Sequence, residues 1–250
     1  MDTEEIRRSV AAAGFIFRGS ILHHWKGEAP AMPPDAGEIV ATRIEEVLRS
    51  TPVLRGLAGQ EALVVSRHAG ALRQVKSPIL FTEVVSLGQQ LLLREIGHVE
   101  TSDETSDQMA GAIREQDERP LRERVAAAEL IVVGEVVDSR ILERPVPPPS
   151  EHYPDWGMAR VAVSAVLKGR RPRGEVEVAF AASLDRMWFH SPKLHRDAHG
   201  ILLLFRLDEN ERPPREMPRN GWQALDPLDL QPLDRREEIE RLIGGGRGGR

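Results

Sequence analysis

Three histidines, His190, His195 and His199, fall within ten residues of one another. Neutral imidazole is the commonest metal ligand, and three such nitrogens could close on zinc. The spacing H-x4-H-x3-H matches no standard loop motif, and Ser191-Pro192 breaks any helical alignment of the three. The competing reading is a polar surface loop. Asp185, Arg186, Trp188 and His190 stand together nearby and could suggest acid/base work. No serine occupies a nucleophile elbow, no phosphate loop occurs, and no paired carboxylates have a recognisable context. A non-catalytic chain is expected, with zinc as the one cofactor the residues suggest.

A second constellation is aromatic. The chain has only four tryptophans. Trp25 follows His23 and His24 in one proline-rich stretch, and Trp156 follows His152, Tyr153 and Asp155 in another. Tryptophan is enriched at interface hot spots, so the paired stretches could present a surface to another protein. Alternatively, each ring packs down on its own domain and closes one end of it.

Composition narrows the classes. The 250 residues contain 34 Lys+Arg, 39 Asp+Glu and no cysteine, for a formal charge of -5 and a pI near 6.0. Without cysteine there are no disulfides, thiolate nucleophiles or cysteine-held metal clusters. Mild acidity argues against a general polyanion binder, which shows a basic domain or stripe. The basic run Lys168 to Arg173 reads as a solvated turn, and Gly244 to Arg250 as a frayed terminus. Hydrophobic residues make up 40% and aromatics 4%, so the core must be aliphatic. No apolar run approaches the roughly 20 residues of a membrane span. The acidic start and the short run Val10 to Phe17 do not make a signal segment, so a cytoplasmic chain is expected.

These residues are positioned by an internal duplication. Residues 6–21 lie on residues 121–136 without a gap, with 7 of 16 identical, among them Arg7/Arg122, Val10/Val125, Ile16/Ile131 and Gly19/Gly134. Further blocks follow in order. Glu46 to Arg49 answers Ala165 to Lys168, Ala62 to Ser66 answers Val176 to Phe180, and Gly88 to Leu93 answers Gly200 to Phe205. Each copy predicts a short amphipathic helix (Thr3 to Ala12; Pro120 to Ala128), then a strand containing a glycine. A long proline-rich loop follows (His23 to Gly37; Arg140 to Gly157), and then alternating strands. Leu91 to Leu93 and Ile201 to Leu207 read as strands buried on both faces. Polar helices are expected from Asp103 to Glu115, with Ser102 as cap, and from Arg235 to Ile243, with Asp234 as cap. The domains are therefore 1–102, a helical connector 103–119 in fixed orientation, and 120–250 with a disordered Gly/Arg tail.

The expected class is mainly β with flanking helices, a tandem duplication of a small Greek-key barrel of the oligonucleotide/oligosaccharide-binding (OB) type. The segments Ile131 to Val136, Val161 to Gly169 and Gly200 to Phe205 resemble the bacterial netrin-like module. That module shares its barrel with the tissue inhibitors of metalloproteinases. In those inhibitors an N-terminal cysteine reaches the protease metal. Here the matching position carries Glu129 or Gly14, so that mechanism does not carry over. The resemblance implies a barrel that binds other macromolecules. The expected function is non-catalytic protein–protein interaction or scaffolding, through Trp25, His23, His24, His152, Tyr153 and Trp156. Single-stranded nucleic-acid binding is the alternative, against which the negative charge and scarce aromatics count. Zinc binding through His190, His195 and His199 is the weaker one.

Overall fold

Asp2 starts the first element. Its carboxylate accepts a hydrogen bond from the Glu5 amide at 2.8 Å, and helix α1 (Thr3–Ala12) follows. Ile6 and Val10, four apart, bury one face of it. The computed structural model describes residues 1–22, 37–87, 90–144, 146, 148, 150–207, 217 and 221–245. The chain divides into two units, Met1–Glu118 and Arg119–Arg250.

In the first unit, β1 (Phe15–Ile21), β2 (Glu38–Arg49), β3 (Glu61–Ser66), β4 (Pro78–Leu87) and β5 (Leu91–Glu100) close into a barrel of order β1-β2-β3-β5-β4. A one-turn helix, α2 (Ala69–Leu72), separates β3 from β4. The β3–β5 pairing is parallel and the other pairings are antiparallel. The second unit repeats this with β6 (Leu130–Ile141), β7 (Trp156–Lys168), β8 (Val176–Ala181), β9 (His199–Arg206) and β10 (Trp222–Gln223). Strand β10 is parallel to β8 and antiparallel to β9, so the order β6-β7-β8-β10-β9 closes as in the first unit. A short β11 (Leu230–Gln231) adds to β9 from outside. The chain is thus a tandem pair of OB-like barrels with flanking helices. Among the described residues no helix is long and apolar enough to cross a membrane.

The duplication holds at the level of register. Ile16 faces Arg49 and Phe17 faces Val47; Ile131 faces Lys168 and Val132 faces Val166. Two β-bulges interrupt β1–β2; β6–β7 has bulges at both matching positions and a third between Val136 and Asp138. Ala62 pairs Thr42 as Val176 pairs Val161. The fourth block needs correction. Ile201 to Leu204 belongs to β9, which pairs with β6 as β4 pairs with β1, so its counterpart is Ile79 to Thr82. Leu91 to Leu93 lies instead on β5, whose counterpart is the two-residue β10.

Glycine at the bulge is a steric requirement. A Cβ on Gly19 would sit 2.6 Å from the Arg43 carbonyl oxygen, and one on Gly134 would sit 2.9 Å from that of Ala162. The cation ending the second strand of each copy is also shared. Arg49 Nη1 donates to the Val10 and Ala13 carbonyls at 2.9 and 3.2 Å. Lys168 Nζ donates to those of Val125 and Ala126 at 2.9 and 2.7 Å. Each closes the C-terminal end of the preceding helix, whose last carbonyls lack partners within the helix.

Helix α3 (Asp103–Ala127) is continuous, where two separate helices were expected. Ser102 does cap it, accepting from the Thr105 amide at 3.1 Å. Pro120 lies inside α3 rather than in a first turn. A proline removes one rung of the helical ladder, and packing on both sides of it holds the winding. Met109, Ala112 and Ile113 cover Ile16, Ile79 and Phe81 with α1. Leu121, Val125 and Ala128 cover Ile131, Ile201 and Leu203. At the far end the chain winds from Leu233 in a short 3-10 turn into α4 (Arg236–Gly245), so Asp234 sits within the turn instead of capping a helix. Ile239, Leu242 and Ile243 of α4 then take the place that Met109, Ala112 and Ile113 hold in the first unit.

Candidate functional site

In the second unit, residues 182–198 connect β8 to β9. Burial anchors the part of this segment around Lys193, since Ser191, Pro192 and Leu194 are all buried. Lys193 fixes its middle. Its ammonium donates to the carbonyls of Ala181, Ser183 and Trp188 at 2.7, 3.0 and 2.7 Å, gathering three points of the chain around one cation. Burial pushes the Lys193 pKa below the ordinary lysine range, while nearby Asp185 pulls it part of the way back. Asp185 Oδ1 accepts from the Met187 and Trp188 amides at 2.9 and 3.2 Å, folding residues 185–188 into a side-chain-closed turn. Trp188 Nε1 donates to the His152 carbonyl at 2.8 Å, tying the turn to the loop before β7.

This well-bonded turn leaves its apolar side chains in water. Leu184 is 75% exposed, and Met187 and Phe189 are each 59% exposed. Exposed leucines scattered singly are ordinary, but three large apolar side chains within six residues of a pinned turn are not. In the sequence Asp185, Arg186, Trp188 and His190 stand together, a grouping that could suggest acid/base work but lacks a catalytic motif. The structure gives Asp185 and Trp188 the work of shaping the turn.

The three histidines do not converge. His190 sits edge-on to the Phe189 ring at 5.2 Å, and His195 Nδ1 lies 3.0 Å from the Lys193 carbonyl oxygen. His199 stands on β9 opposite Glu135 of β6. All three are exposed. Among the described residues no group of three or more histidine, aspartate or glutamate side chains is placed to hold a metal.

Trp156 is the first residue of β7, not a loop residue, and is 1% exposed. Its indole packs with Leu142, Tyr153, Met158, Ala179, Leu207 and Met217. Tyr153 is buried beside it, and that burial raises the phenol pKa. The two rings are therefore buried within their own unit, while His152 remains exposed. His23, His24 and Trp25 lie outside the described residues.

One cluster escaped the sequence reading. Glu95 on β5 is only 2% exposed at its side chain, and its Oε1 lies 2.5 Å from His98 Nδ1. Ser66 and His68 face the same carboxylate from the end of β3. Burial pushes the Glu95 pKa up, but His98, the Ser66 hydroxyl and the charge of His68 outweigh it and leave the group below the ordinary glutamate range. Strand register shows what is unusual. Leu93 pairs Val64 as Trp222 pairs Val178, so Glu95 occupies the position of Ala224, and Ser66 that of Phe180. The trace was present in the alternation Leu91, Leu93, Glu95, which puts a carboxylate on the inward face.

Compared with known proteins, no family model matches the chain and no curated protein matches it.

Proposed function

We propose that the chain is a non-catalytic protein-binding module, and that the turn from Leu184 to His190 is where a partner protein docks. The observation that carries this reading is the pairing of exposure with rigidity at that turn. Leu184, Met187 and Phe189 face solvent on a backbone already fixed by Lys193, Asp185 and Trp188. Side chains held in place before binding lose little freedom on binding, which is the economical way to build a contact. The resemblance to the netrin-like module points the same way, toward capture of another macromolecule.

The experiment uses the purified chain as bait in lysate of its source organism, with and without nuclease. A protein band that survives nuclease is expected with the native chain. The variant Leu184→Ser/Met187→Ser/Phe189→Ser should lose it while changing stability by at most about 0.5 kcal/mol per substitution, as surface substitutions do. Lys193→Met should weaken capture by loosening the same turn, and Trp25→Ala tests whether the first copy contributes. Capture unchanged in the folded triple variant would end this reading. Loss of all bound material after nuclease would favour single-stranded nucleic acid instead.

A further inference from the structure

The inner part of β7 pairs on both sides, with β6 and with β8, but the β8 pairing covers only Trp156 to Val161. From Ala162 onward β7 continues against β6 alone, as far as Lys168. Among the described residues, no group hydrogen-bonds to the backbone of 162–167 from the side away from β6. The segment reads Ala162-Val163-Ser164-Ala165-Val166-Leu167, apolar apart from one serine and without a charge.

The first unit shows how such an edge is ordinarily blunted. The matching residues of β2 are Arg43-Ile44-Glu45-Glu46-Val47-Leu48, three of them charged. There the returning chain also bonds back. Ile44 donates to the Gln60 carbonyl at 2.9 Å, and Gly59 donates to that of Ile44 at 2.7 Å. The 3-10 turn Pro52–Leu57 follows β2 and sends Leu54 into the barrel core. The second unit replaces this with the short turn 169–175, and among the described residues no backbone group bonds to the edge. An uncharged, uncovered strand edge is a template for pairing with another strand.

The turn beyond that edge indicates the charge of the occupant. Arg170, Arg171 and Arg173 are exposed, and among the described residues none has an acidic partner within ion-pair distance. The neighbouring Glu175 is engaged by Arg160 at 3.3 Å. Lys168 is committed to the end of α3. Among the described residues, a row of unpaired backbone groups running into three unpaired guanidinium groups calls for an extended segment with carboxylates at one end.

We propose that the free edge of β7, Ala162 to Leu167, with Arg170, Arg171 and Arg173, is a strand-addition site for an extended acidic segment of a partner protein. The backbone ladder supplies affinity, and the arginines set which end of the segment lies where. The site is separate from the Leu184 turn and stands or falls on its own.

The test uses the full chain and a fluorescent peptide of three aspartates joined to alternating threonine and valine. Saturable binding is expected, with slower hydrogen exchange at amides of residues 162–167. The variant Arg170→Glu/Arg171→Glu/Arg173→Glu should bind about tenfold more weakly, as should the native chain in high salt. The same peptide N-methylated at alternate residues should not bind, because it cannot complete the ladder. The Leu184→Ser/Met187→Ser/Phe189→Ser variant should bind as the native chain does. Three results would overturn the assignment. They are equal binding of the methylated peptide, no saturable binding below about 1 mM, and a peptide-independent dimer protected at 162–167, which would give the edge to a second copy.

Discussion

The two barrels share a pairing order and differ in what joins and fills them. Between β2 and β3 the first unit inserts the 3-10 turn Pro52–Leu57, whose Leu54 plugs its core; between β7 and β8 the second unit has a plain basic turn. Between β8 and β9 the second unit carries the Lys193-centred segment; between β3 and β4 the first has only the one-turn α2. The interior end of the first barrel holds the Glu95–His98 pair, where the second holds Ala224. Strand pairing constrains the frame because a one-residue slip would turn every core side chain outward. The linkers carry no such constraint, and in them the copies have parted.

The largest test of this contrast is Asp229→Ala. Asp229 is fully buried, bridged to Arg124 of α3 at 2.9 and 2.8 Å, and accepts from the Leu225 and Asp226 amides at 2.9 Å each. Removing it strands a half-buried guanidinium and two amides, which should cost about 3–5 kcal/mol. Hydrogen exchange should speed up across β6 to β11. Equal loss across β1 to β5 would break the comparison of two separately built barrels.

Next come the bulge glycines. Gly19→Ala and Gly134→Ala each force a methyl into a backbone carbonyl and should each cost about 1–3 kcal/mol in urea denaturation. Matched losses sharpen the equivalence; a neutral effect at either position would break it. Smaller again are Arg49→Ala and Lys168→Ala, which remove the cations at the ends of α1 and α3. Each should cost about 1 kcal/mol, seen as faster exchange in the last turn of the helix concerned.

The smallest effect separates the copies by pH. Because the folded-state pKa of Glu95 lies below its ordinary value, its contribution is present in full above that ordinary value. It is lost as pH falls through the lower, folded-state value. The stability of the first unit against denaturation should therefore fall toward acid, and Glu95→Gln should flatten that dependence. The second unit, with Ala224 in place of the carboxylate, should keep its own pH dependence unchanged by Glu95→Gln.

The strand frame was legible because core positions repeat. Ile16/Ile131, Leu48/Leu167 and Val64/Val178 are apolar in both copies and sit in equivalent clusters. The closing strand was not legible, because β10 is two residues long and offers no apolar run, so Leu91 to Leu93 was matched to the wrong partner. Pro120 and Asp234 were read by local rules for helix starts, which packing on either side of them overrode. The candidate site was legible only in outline. Trp188 and Asp185 stood out by type, but Lys193 acts through three carbonyls that only the folded chain brings together. Trp156 was expected in a loop because prolines precede it; a ring of that size is buried wherever a barrel end has room for it.

The bulge glycine and the helix-closing cation together amount to a ruler. From Gly19 to Arg49 is 30 residues, and from Gly134 to Lys168 is 34. Both marks are held in place, because the glycine answers to one carbonyl and the cation to the end of one helix. A chain too diverged for its hydrophobic runs to be aligned would still show those two marks, roughly a strand pair apart, just after a helix. Distant kin of this barrel are better sought by that interval than by overall similarity.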